Sequence, residues 1–346
     1  MLTKPQVVEN PTLNLDENLR NSRLLGAVRR RFGEKVRIEN LVSATLGGSN
    51  RTILFDLCEQ EGSVRRLVLR QETYAMSQSP FLAPHQQFCL LELVHRGGIP
   101  VPEPVFELDD ADGLGRGYVV ECVIGETLPK RLMNDSEFSS ARSRFAMECG
   151  EILARLHAID PAGASFLVNV PDSKDPVAAQ TARYDSYSEA YPAIELGLRW
   201  LQIHRPQSSK KHLLHGDFRN GNLIVDRRGI RAVLDWECAH LGDAMEDIGW
   251  LCTRSWRFGN PERPVGGIGT REEFAAAYHS NGGAQIDWET VRWWGVFGLV
   301  RWAVLNVMQA HGHIGGQRRA IPFAACGRNI CVIEYDLMMT LSGDYD

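Results

Sequence analysis

The residue types best suited to chemistry in this chain fall within one segment, 215–237, which reads HGDFRNGNLIVDRRGIRAVLDWE. An apolar pair, 213–214, leads into a polar loop, and two apolar segments joined by a tight turn follow it. This pattern predicts a short strand, a loop and a β-hairpin. Asp217 and Asn222 lie on the loop. Asp235 comes where the second hairpin strand ends, so all three side chains should converge.

Three converging oxygen-bearing side chains offer two kinds of chemistry. A carboxylate and an amide oxygen suit a hard cation such as Mg²⁺, which takes its remaining ligands from water and phosphate. A further carboxylate that stays off the metal can orient or deprotonate a hydroxyl nucleophile. A surface hairpin with acidic turns is the alternative interpretation of the same residues.

The spacing resembles the catalytic loop of the protein-kinase-like superfamily, H-R-D-x-x-x-x-N followed by a metal-binding Asp. Gly216 stands in place of the Arg, and the form H-G-D-x-x-x-x-N…D-W-E is similar to the aminoglycoside phosphotransferase family, which also covers choline, homoserine and methylthioribose kinases. The likeness covers roughly 41–250 and is greatest to a bacterial branch related to the kinase-like domain fused to some acyl-CoA dehydrogenases. It implies that Asp217 is the catalytic base and that Asn222 and Asp235 hold Mg²⁺.

The elements that must position these residues divide the chain into two parts. The part at 1–124 contains two amphipathic helices and five strand-like segments, whereas helical periodicity dominates 125–346, including one predicted helix at 184–204. Strands followed by helices predict an α+β fold rather than an alternating barrel or a doubly wound sheet. With the resemblance, this order implies a bilobal protein-kinase-like fold. Its β-rich lobe (1–124) would bind the nucleotide, its helical lobe (125–346) would hold the catalytic and substrate residues, and ATP would lie in the cleft between them.

A glycine-rich turn joins the first two predicted strands. Gly47, Gly48, Ser49 and Asn50 resemble the family's phosphate-covering hairpin. Glycines let the backbone approach a phosphate, and amide groups with a Ser hydroxyl can bond its oxygens. An ordinary hairpin turn is the alternative.

The third predicted strand should present a cation to the ATP phosphates. The aligned residue is Arg70, where most kinases use Lys, and a guanidinium binds phosphate bidentately. The following helix should supply a Glu to hold that cation, but the position falls on Gln87, which brings no charge. A solvent-facing strand Arg is the alternative interpretation.

The last strand of the β-rich part resembles the hinge that bonds the adenine edge in this family. The resemblance implies that Glu121 and Val123 offer backbone C=O and N–H groups to the base. Apolar sequence carries no mark of adenine, so a plain buried strand is the alternative.

A segment after Asp235, LGDAMEDI (241–248), resembles the family's G-D-P-x-x-D-L segment. We expect Asp243 to brace the catalytic loop by accepting backbone or His215 hydrogen bonds. We expect Asp247 to cap a helix N-terminus.

The acceptor should lie beside Asp217, because its hydroxyl must come within hydrogen-bond reach of the base. We expect the segment 184–200 and some of the late tryptophans to bound it. Six of the eight tryptophans lie beyond residue 245, which favours helical core, with a wall of the acceptor pocket as the alternative. An apolar wall favours a partly apolar acceptor over a polycationic aminoglycoside.

Composition and charge limit the classes of partner. The chain has 38 Lys and Arg against 43 Asp and Glu, a net charge of −5, which argues against binding nucleic acid by phosphate neutralisation. It has no apolar run of about 18 residues, and its first residues lack the apolar core of a signal peptide. We therefore expect a cytoplasmic protein with a small-molecule hydroxyl acceptor, no nucleic-acid or membrane partner, and free cysteines. The oligomeric state is not indicated.

The sequence thus predicts an ATP- and Mg²⁺-dependent phosphotransferase that acts on a hydroxyl. A kinase-like protein that binds nucleotide without transferring phosphate is the alternative that Gln87 and Arg70 favour. A metal-dependent hydrolase built on the same three oxygens is a third interpretation, but it would need further ligands and would leave the glycine-rich turn unused.

Overall fold

The structure of the chain is a computed structural model that describes residues 16–44, 50–60, 62–72, 81–207, 210–316 and 321–345. The chain divides into two units, Met1–Ile124 and Gly125–Asp346. Strands dominate the first and helices the second, so the α+β class expected from the sequence is confirmed.

The described part of the first unit holds one antiparallel sheet and two α-helices. These elements are α1 (Glu17–Phe32), β1 (Arg37–Ala44), β2 (Asn50–Cys58), β3 (Val64–Glu72), α2 (Pro84–Arg96), β4 (Pro104–Glu107) and β5 (Gly117–Glu121). The strand order is β1-β2-β3-β5-β4. β5 ends at Glu121, and the Cys122 backbone N–H donates to the Arg66 carbonyl of β3 at 2.8 Å.

Period-two alternation explains why this sheet folds against α1. Ile53, Phe55 and Leu57 alternate along β2, and all three are buried in one cluster. Leu24 and Val28, one helical turn apart on α1, are buried in the same cluster. Side chains at every second strand position therefore meet the apolar stripe of the helix.

The second unit is built from helices and two pairs of short strands that carry the loop at 215–222. Its helices are α3 (Pro129–Asn134), α4 (Ser139–Arg142), α5 (Phe145–Ala158), α6 (Pro171–Lys174), α7 (Pro176–Asp185), α8 (Pro192–Ile203), α9 (Ala244–Cys252), α10 (Arg271–Ser280), α11 (Trp288–Ile314) and α12 (Ile321–Ser342). Its strands are β6 (His212–Leu214), β7 (Leu223–Asp226), β8 (Gly229–Val233) and β9 (His240–Gly242). β6 pairs with β9, and β7 pairs with β8. The predicted strand, loop and hairpin are therefore confirmed.

The single helix predicted at 184–204 is wrong. α7 ends at Asp185 and α8 begins at Pro192, with Tyr191 extended between them. The residue before a proline is biased away from helical angles, and proline suits the first position of a helix, so the chain restarts there.

Two contacts fix the β7–β8 hairpin in the second unit. Glu148 of α5 accepts a hydrogen bond from the Ile230 backbone at 2.7 Å. Gly229 has a φ of 131°, and a Cβ there would overlap the Glu148 carboxylate, so only glycine lets the turn sit on α5. At the other side, Glu126 and Val225 exchange backbone hydrogen bonds of 2.8 and 2.9 Å.

Among the helices of the described ranges, none combines the length and the apolar character needed to cross a membrane.

Candidate active site

The loop that follows β6 is shaped by the His215 imidazole. His215 is fully buried; its Nε2–H donates to the Leu234 carbonyl at 2.8 Å, and its Nδ1 accepts the Asp217 backbone N–H at 3.0 Å. An imidazole that accepts at one nitrogen is neutral, and burial lowers the pKa of His215, which agrees with that form. The ring therefore joins the loop to the end of β8, beside Asp235.

A buried carboxylate binds the backbone of the loop. Asp247 of α9 accepts the backbone N–H groups of His215 at 2.9 Å and Gly216 at 2.8 Å. Its Oδ2 also lies 3.3 Å from Nε2 of His157, whose Nδ1 lies 2.9 Å from the Tyr278 hydroxyl. Burial alone would raise the pKa of Asp247, but these donors hold it below its ordinary value.

The roles expected for the two aspartates of segment 241–248 are therefore exchanged. Asp243 was expected on the loop, but it is the N-cap of α9 and accepts the Met245 backbone N–H at 2.9 Å. Asp247 was expected to be the cap, but it lies within the first turn of α9. There the helix directs its side chain inward to the loop.

The Asp217 carboxylate is held by three side-chain donors. Its Oδ1 accepts from Nε1 of Trp250 at 2.8 Å and from Nε of Arg219 at 3.1 Å. Its Oδ2 accepts from Nδ2 of Asn222 at 2.6 Å. About a fifth of the side chain, 21%, is exposed. The carboxylate is thus fixed in direction and still reachable from solvent, as a base for a bound hydroxyl must be.

Asn222 and Asp235 are brought together by the backbone. Leu234 donates its N–H to the Asn222 carbonyl at 2.8 Å, which places Asp235 at the next position. Asn222 is 2% exposed, and its amide nitrogen is used by Asp217, so its Oδ1 is the atom free to act as a ligand. Asp235 has left-handed backbone angles, φ 60° and ψ 60°, a conformation found where surrounding structure enforces it.

This donor set fits a hard divalent cation. It offers one amide oxygen, from Asn222, and one carboxylate, from Asp235. Within the described ranges, no group of three or more His, Cys, Asp or Glu side chains could hold a metal ion. Mg²⁺ prefers one or two protein oxygens together with water and phosphate oxygens, whereas zinc usually takes three or four protein ligands that include His nitrogen or Cys sulfur atoms.

Arg219 and the particular late tryptophans that lie near Asp217 were not identified from the sequence. The Arg219 guanidinium carbon lies 4.7 Å from the centre of the Trp256 ring, and that ring lies 5.1 Å from the ring of Trp250. Trp302 lies 5.0 Å from Trp256 in turn. One signal was available: Trp250 follows Asp247 by three residues in a helix, so both side chains share a face.

A buried charge cluster supports Trp250. The Arg301 guanidinium donates to the Gly216 carbonyl and lies 5.1 Å from the Trp250 ring centre. It also lies 3.8 Å from Glu246, which contacts His240 at 3.1 Å. Burial alone would lower the pKa of His240, but the Glu246 carboxylate raises it to about 9.

Gly216 is required by its conformation. Its φ is 75°, and a Cβ there would collide with the backbone oxygen of Cys238. The Arg found here in H-R-D loops would suffer the same collision. The glycine thus lets the loop pass close to the segment between β8 and β9.

The predicted nucleotide residues of the first unit lie along β3 and β5. Arg70 lies opposite Tyr118 in the β3–β5 register. Gln87 of α2 is 3% exposed; it accepts from the Tyr118 hydroxyl at 3.0 Å and donates to the Leu82 carbonyl at 2.8 Å. The buried Gln87 side chain therefore contacts Tyr118, the residue opposite Arg70 on the neighbouring strand.

The other predicted nucleotide residues lie at the end of β5 and in the glycine-rich segment that leads into β2. Glu121 ends β5, and its side chain accepts from Arg65 at 2.7 and 2.9 Å. Val123 lies two residues beyond the strand. Gly47, Gly48 and Ser49 lie outside the described residues, and for Asn50 only the backbone is described, at the start of β2.

The tryptophans of the second unit are mostly core, as the sequence favoured. Four of the six beyond residue 245 are buried, namely Trp250, Trp256, Trp293 and Trp294, while Trp288 and Trp302 are half-buried. In the segment expected to bound the acceptor, Tyr184 is 3% exposed and donates to Glu195 at 3.3 Å.

The chain is similar to several known proteins. The model of the phosphotransferase enzyme family, APH, matches residues 42–294. Mouse acyl-CoA dehydrogenase family member 10 is 28% identical over 214 residues, and the orangutan (Pongo abelii) family member 11 is 28% identical over 192. These matches cover 60% and 51% of this chain but only 19% and 24% of those proteins. The chain thus spans less than a quarter of their length.

Solved structures show the same fold. A Ralstonia eutropha JMP134 protein, provisionally an aminoglycoside phosphotransferase, aligns with a TM-score of 0.69 at 20% identity, over 93% of this chain and 98% of that one. Plasmodium vivax ethanolamine kinase aligns with a TM-score of 0.60 at 13% identity, over 91% and 87%. A choline/ethanolamine kinase family protein of Mesorhizobium loti aligns with a TM-score of 0.59 at 16% identity, over 94% and 98%.

The fold is therefore the α+β protein-kinase-like fold that the sequence predicted. Because the family model spans more than half of the chain, and its range includes the fixed Asp217 carboxylate and its Asn222 and Asp235 neighbours, the chain belongs to the phosphotransferase enzyme family.

Proposed function

We propose that this phosphotransferase moves the γ-phosphoryl group of ATP to a hydroxyl of a small molecule, with Mg²⁺ as the cofactor. The observation that carries the proposal is the environment of the Asp217 carboxylate. Three side-chain donors, one of them Asn222, fix its direction, and about a fifth of the Asp217 side chain stays exposed. Both features suit a base that must hold a bound hydroxyl in one direction.

In the proposed reaction Asp217 receives the acceptor hydroxyl as a hydrogen-bond donor and orients its oxygen toward the γ-phosphorus. A new bond forms between this oxygen and phosphorus, and the bond from phosphorus to the bridging oxygen of the β-phosphate breaks. The hydroxyl proton passes to Asp217, and ADP leaves with the electron pair of the broken bond. No covalent protein intermediate is needed, so positioning and electrostatics supply the catalysis.

Asn222 and Asp235 are the residues proposed to hold Mg²⁺. The support is their adjacency at the end of β8 and the amide orientation that leaves Oδ1 of Asn222 available. When bound, Mg²⁺ would neutralise charge on the phosphate oxygens. His215 and Asp247 would contribute by keeping the loop and the end of β8 in register.

The nucleotide residues remain proposals from the resemblance. Arg70 would pair with the phosphates, Gly47, Gly48, Ser49 and Asn50 would cover them, and the backbone at Glu121 and Val123 would bond the adenine. Gln87 supplies no carboxylate, so the ion pair common in this superfamily would be replaced by the polar contacts of a neutral amide.

Two substitutions separate the proposed roles. Asp217→Asn should lower the transfer rate by about 10²–10⁴-fold and leave Mg²⁺-ATP binding intact, because general-base catalysis contributes that range. Asp235→Asn should also weaken Mg²⁺-dependent ATP binding, because it removes a ligand charge. Asp160→Asn is the matched control, since Asp160 is an exposed helix cap in the same unit.

ADP release would be followed with sugars, amino alcohols, aminoglycosides and hydroxy acids, and nucleotide binding by calorimetry. Equal loss of ATP binding in both variants would show that the roles are wrong. Tight Mg²⁺-ATP binding without transfer to any acceptor would support the alternative, a nucleotide-binding protein that lacks transferase activity.

A further inference from the structure

The Arg219 side chain is held by several contacts beside Asp217, the proposed base. Its Nε donates to Asp217 Oδ1 at 3.1 Å, and its guanidinium face lies 4.7 Å from the Trp256 ring centre. A Cβ on Gly221 would overlap Nη1 of Arg219, so the glycine leaves the space that the guanidinium fills. Contacts on three sides fix this cation, although 23% of its side chain is exposed.

The contacts leave one edge of the guanidinium for a ligand. Arginine carries five N–H donors in a planar fork that matches a carboxylate. Asp217 takes the Nε donor and Trp256 takes the face, while the terminal nitrogens of Arg219 donate to no residue within the described ranges. A second anion could therefore bind at that edge while the contact with Asp217 persists.

The two oxygens of Asp217 distinguish two sides of the site. Oδ2 faces Asn222, one of the proposed Mg²⁺ ligands, whereas Oδ1 faces Arg219 and Trp250. Trp256 and the half-buried Trp302 extend the Oδ1 side. Arg219 thus contacts the Asp217 oxygen that does not bond Asn222, beside three tryptophan rings of which Trp302 is the half-buried one.

Two carboxylates near the loop are committed elsewhere. Glu246 is 3% exposed and bonded to His240, and Asp243 caps α9. A cationic acceptor that approached Oδ1 would also meet the fixed positive charge of Arg219.

We propose that Arg219 selects the acceptor and that the acceptor is a hydroxyl compound carrying a carboxylate, with an apolar stretch between the two groups. This inference rests on the proposed phosphotransferase function. The carboxylate would pair with the terminal nitrogens of Arg219, the apolar stretch would lie on the half-buried Trp302, and the hydroxyl would reach Asp217.

The test uses three matched series of compounds with a terminal hydroxyl: ω-hydroxy acids, the diols of equal length and the amino alcohols of equal length. Binding to the full chain is measured by calorimetry without nucleotide, and transfer by ADP release with Mg²⁺-ATP. The hydroxy acids should bind about 10- to 100-fold more tightly than the amino alcohols and show a similar advantage in kcat/KM, as expected for a charge-assisted bidentate contact.

Variants assign this preference to the guanidinium. Arg219→Met should abolish the preference for the carboxylate, mainly by raising KM for the hydroxy acids, and Arg219→Lys should restore part of it. Gly221→Ala keeps every charge but displaces the guanidinium, so it should reduce the preference as well. Arg228→Met is the control, because Arg228 is 77% exposed on the β7–β8 turn.

Several outcomes would overturn the inference. Equal binding of the three series, or no binding of the hydroxy acids, would show that no anion site exists. A loss in Arg219→Met that lowers kcat alike for all acceptors would place Arg219 on the phosphoryl group instead. Because the binding experiment uses no nucleotide, failure of transfer alone would count against the proposed function and leave the anion preference separately measured.

Discussion

Asp247 gives the sharpest test of how the loop that carries Asp217 is held. It is fully buried and accepts two backbone N–H groups, at 2.9 Å from His215 and 2.8 Å from Gly216, and it also contacts His157. Asp247→Asn preserves the volume of the side chain. However, its one carbonyl oxygen can accept from only one of the two backbone donors, and its NH₂ group would face the other.

The expected cost follows from these contacts. One buried N–H group without a partner costs about 1–3 kcal/mol, and the loss of a charge-assisted bond to the remaining donors adds a similar amount. The free energy of unfolding of the second unit should therefore fall by about 2–6 kcal/mol. The transfer rate should fall as well, because the loop loses the contact that fixes its first two residues.

Urea unfolding followed by tryptophan fluorescence measures the first effect, and ADP release measures the second. Asp160→Asn should change stability by less than about 0.5 kcal/mol, because Asn caps a helix as well as Asp does. Because the pKa of Asp247 is lowered in the folded protein, its contribution is present above its ordinary pKa and is lost as pH falls through the lowered value. Unchanged stability and rate in Asp247→Asn would refute this account of the loop.

Three further predictions concern the surroundings of Asp217. Trp250→Phe removes the 2.8 Å hydrogen bond from the indole to Asp217 but keeps an aromatic ring. The value of kcat/KM should fall by about 5- to 30-fold, because a partly exposed hydrogen bond to a charged group is lost. An unchanged kcat/KM would show that the indole contributes only packing. The Glu246 carboxylate raises the pKa of His240 to about 9, so the contribution of His240 to stability is complete below pH 6.5 and is lost as pH rises through 9. The melting temperature should therefore decline over this pH range, and His240→Gln should reduce the decline. A decline of equal size in the variant would contradict this account. Gly216→Ala should give little folded protein in circular dichroism and unfolding measurements, because φ is 75° and a Cβ meets backbone; wild-type stability would show that the loop can move aside.

Some of the site could be predicted because its determinants are local in sequence. Asp217 and Asn222 are five residues apart on one loop, and the hairpin returns the chain to Asp235 through two short strands. A strand, a turn and a second strand constrain where their ends lie, so the spacing predicts that these three residues lie near one another. The helix α1 and the strands of the first unit follow from apolar periodicity in the same way.

The exchange of Asp243 and Asp247 shows where local reasoning fails. Both are acidic residues near a helix start, and capping preference does not distinguish them. Which one faces the loop depends on the angle at which α9 meets β6, a property of packing between elements.

The residues around the Asp217 carboxylate also show what only tertiary structure decides. The sequence by itself determined the α+β fold class, the loop and the three oxygen-bearing side chains, because these depend on short-range spacing and on the period of apolar residues. Trp250 is 33 residues from Asp217, and Arg301 is 85 residues from Gly216. Their identities carry no sign of these contacts, because a tryptophan or an arginine in a buried helix can face any neighbour. The direction in which α9 and α11 pack brings them to the loop, and that direction results from the whole core of the second unit.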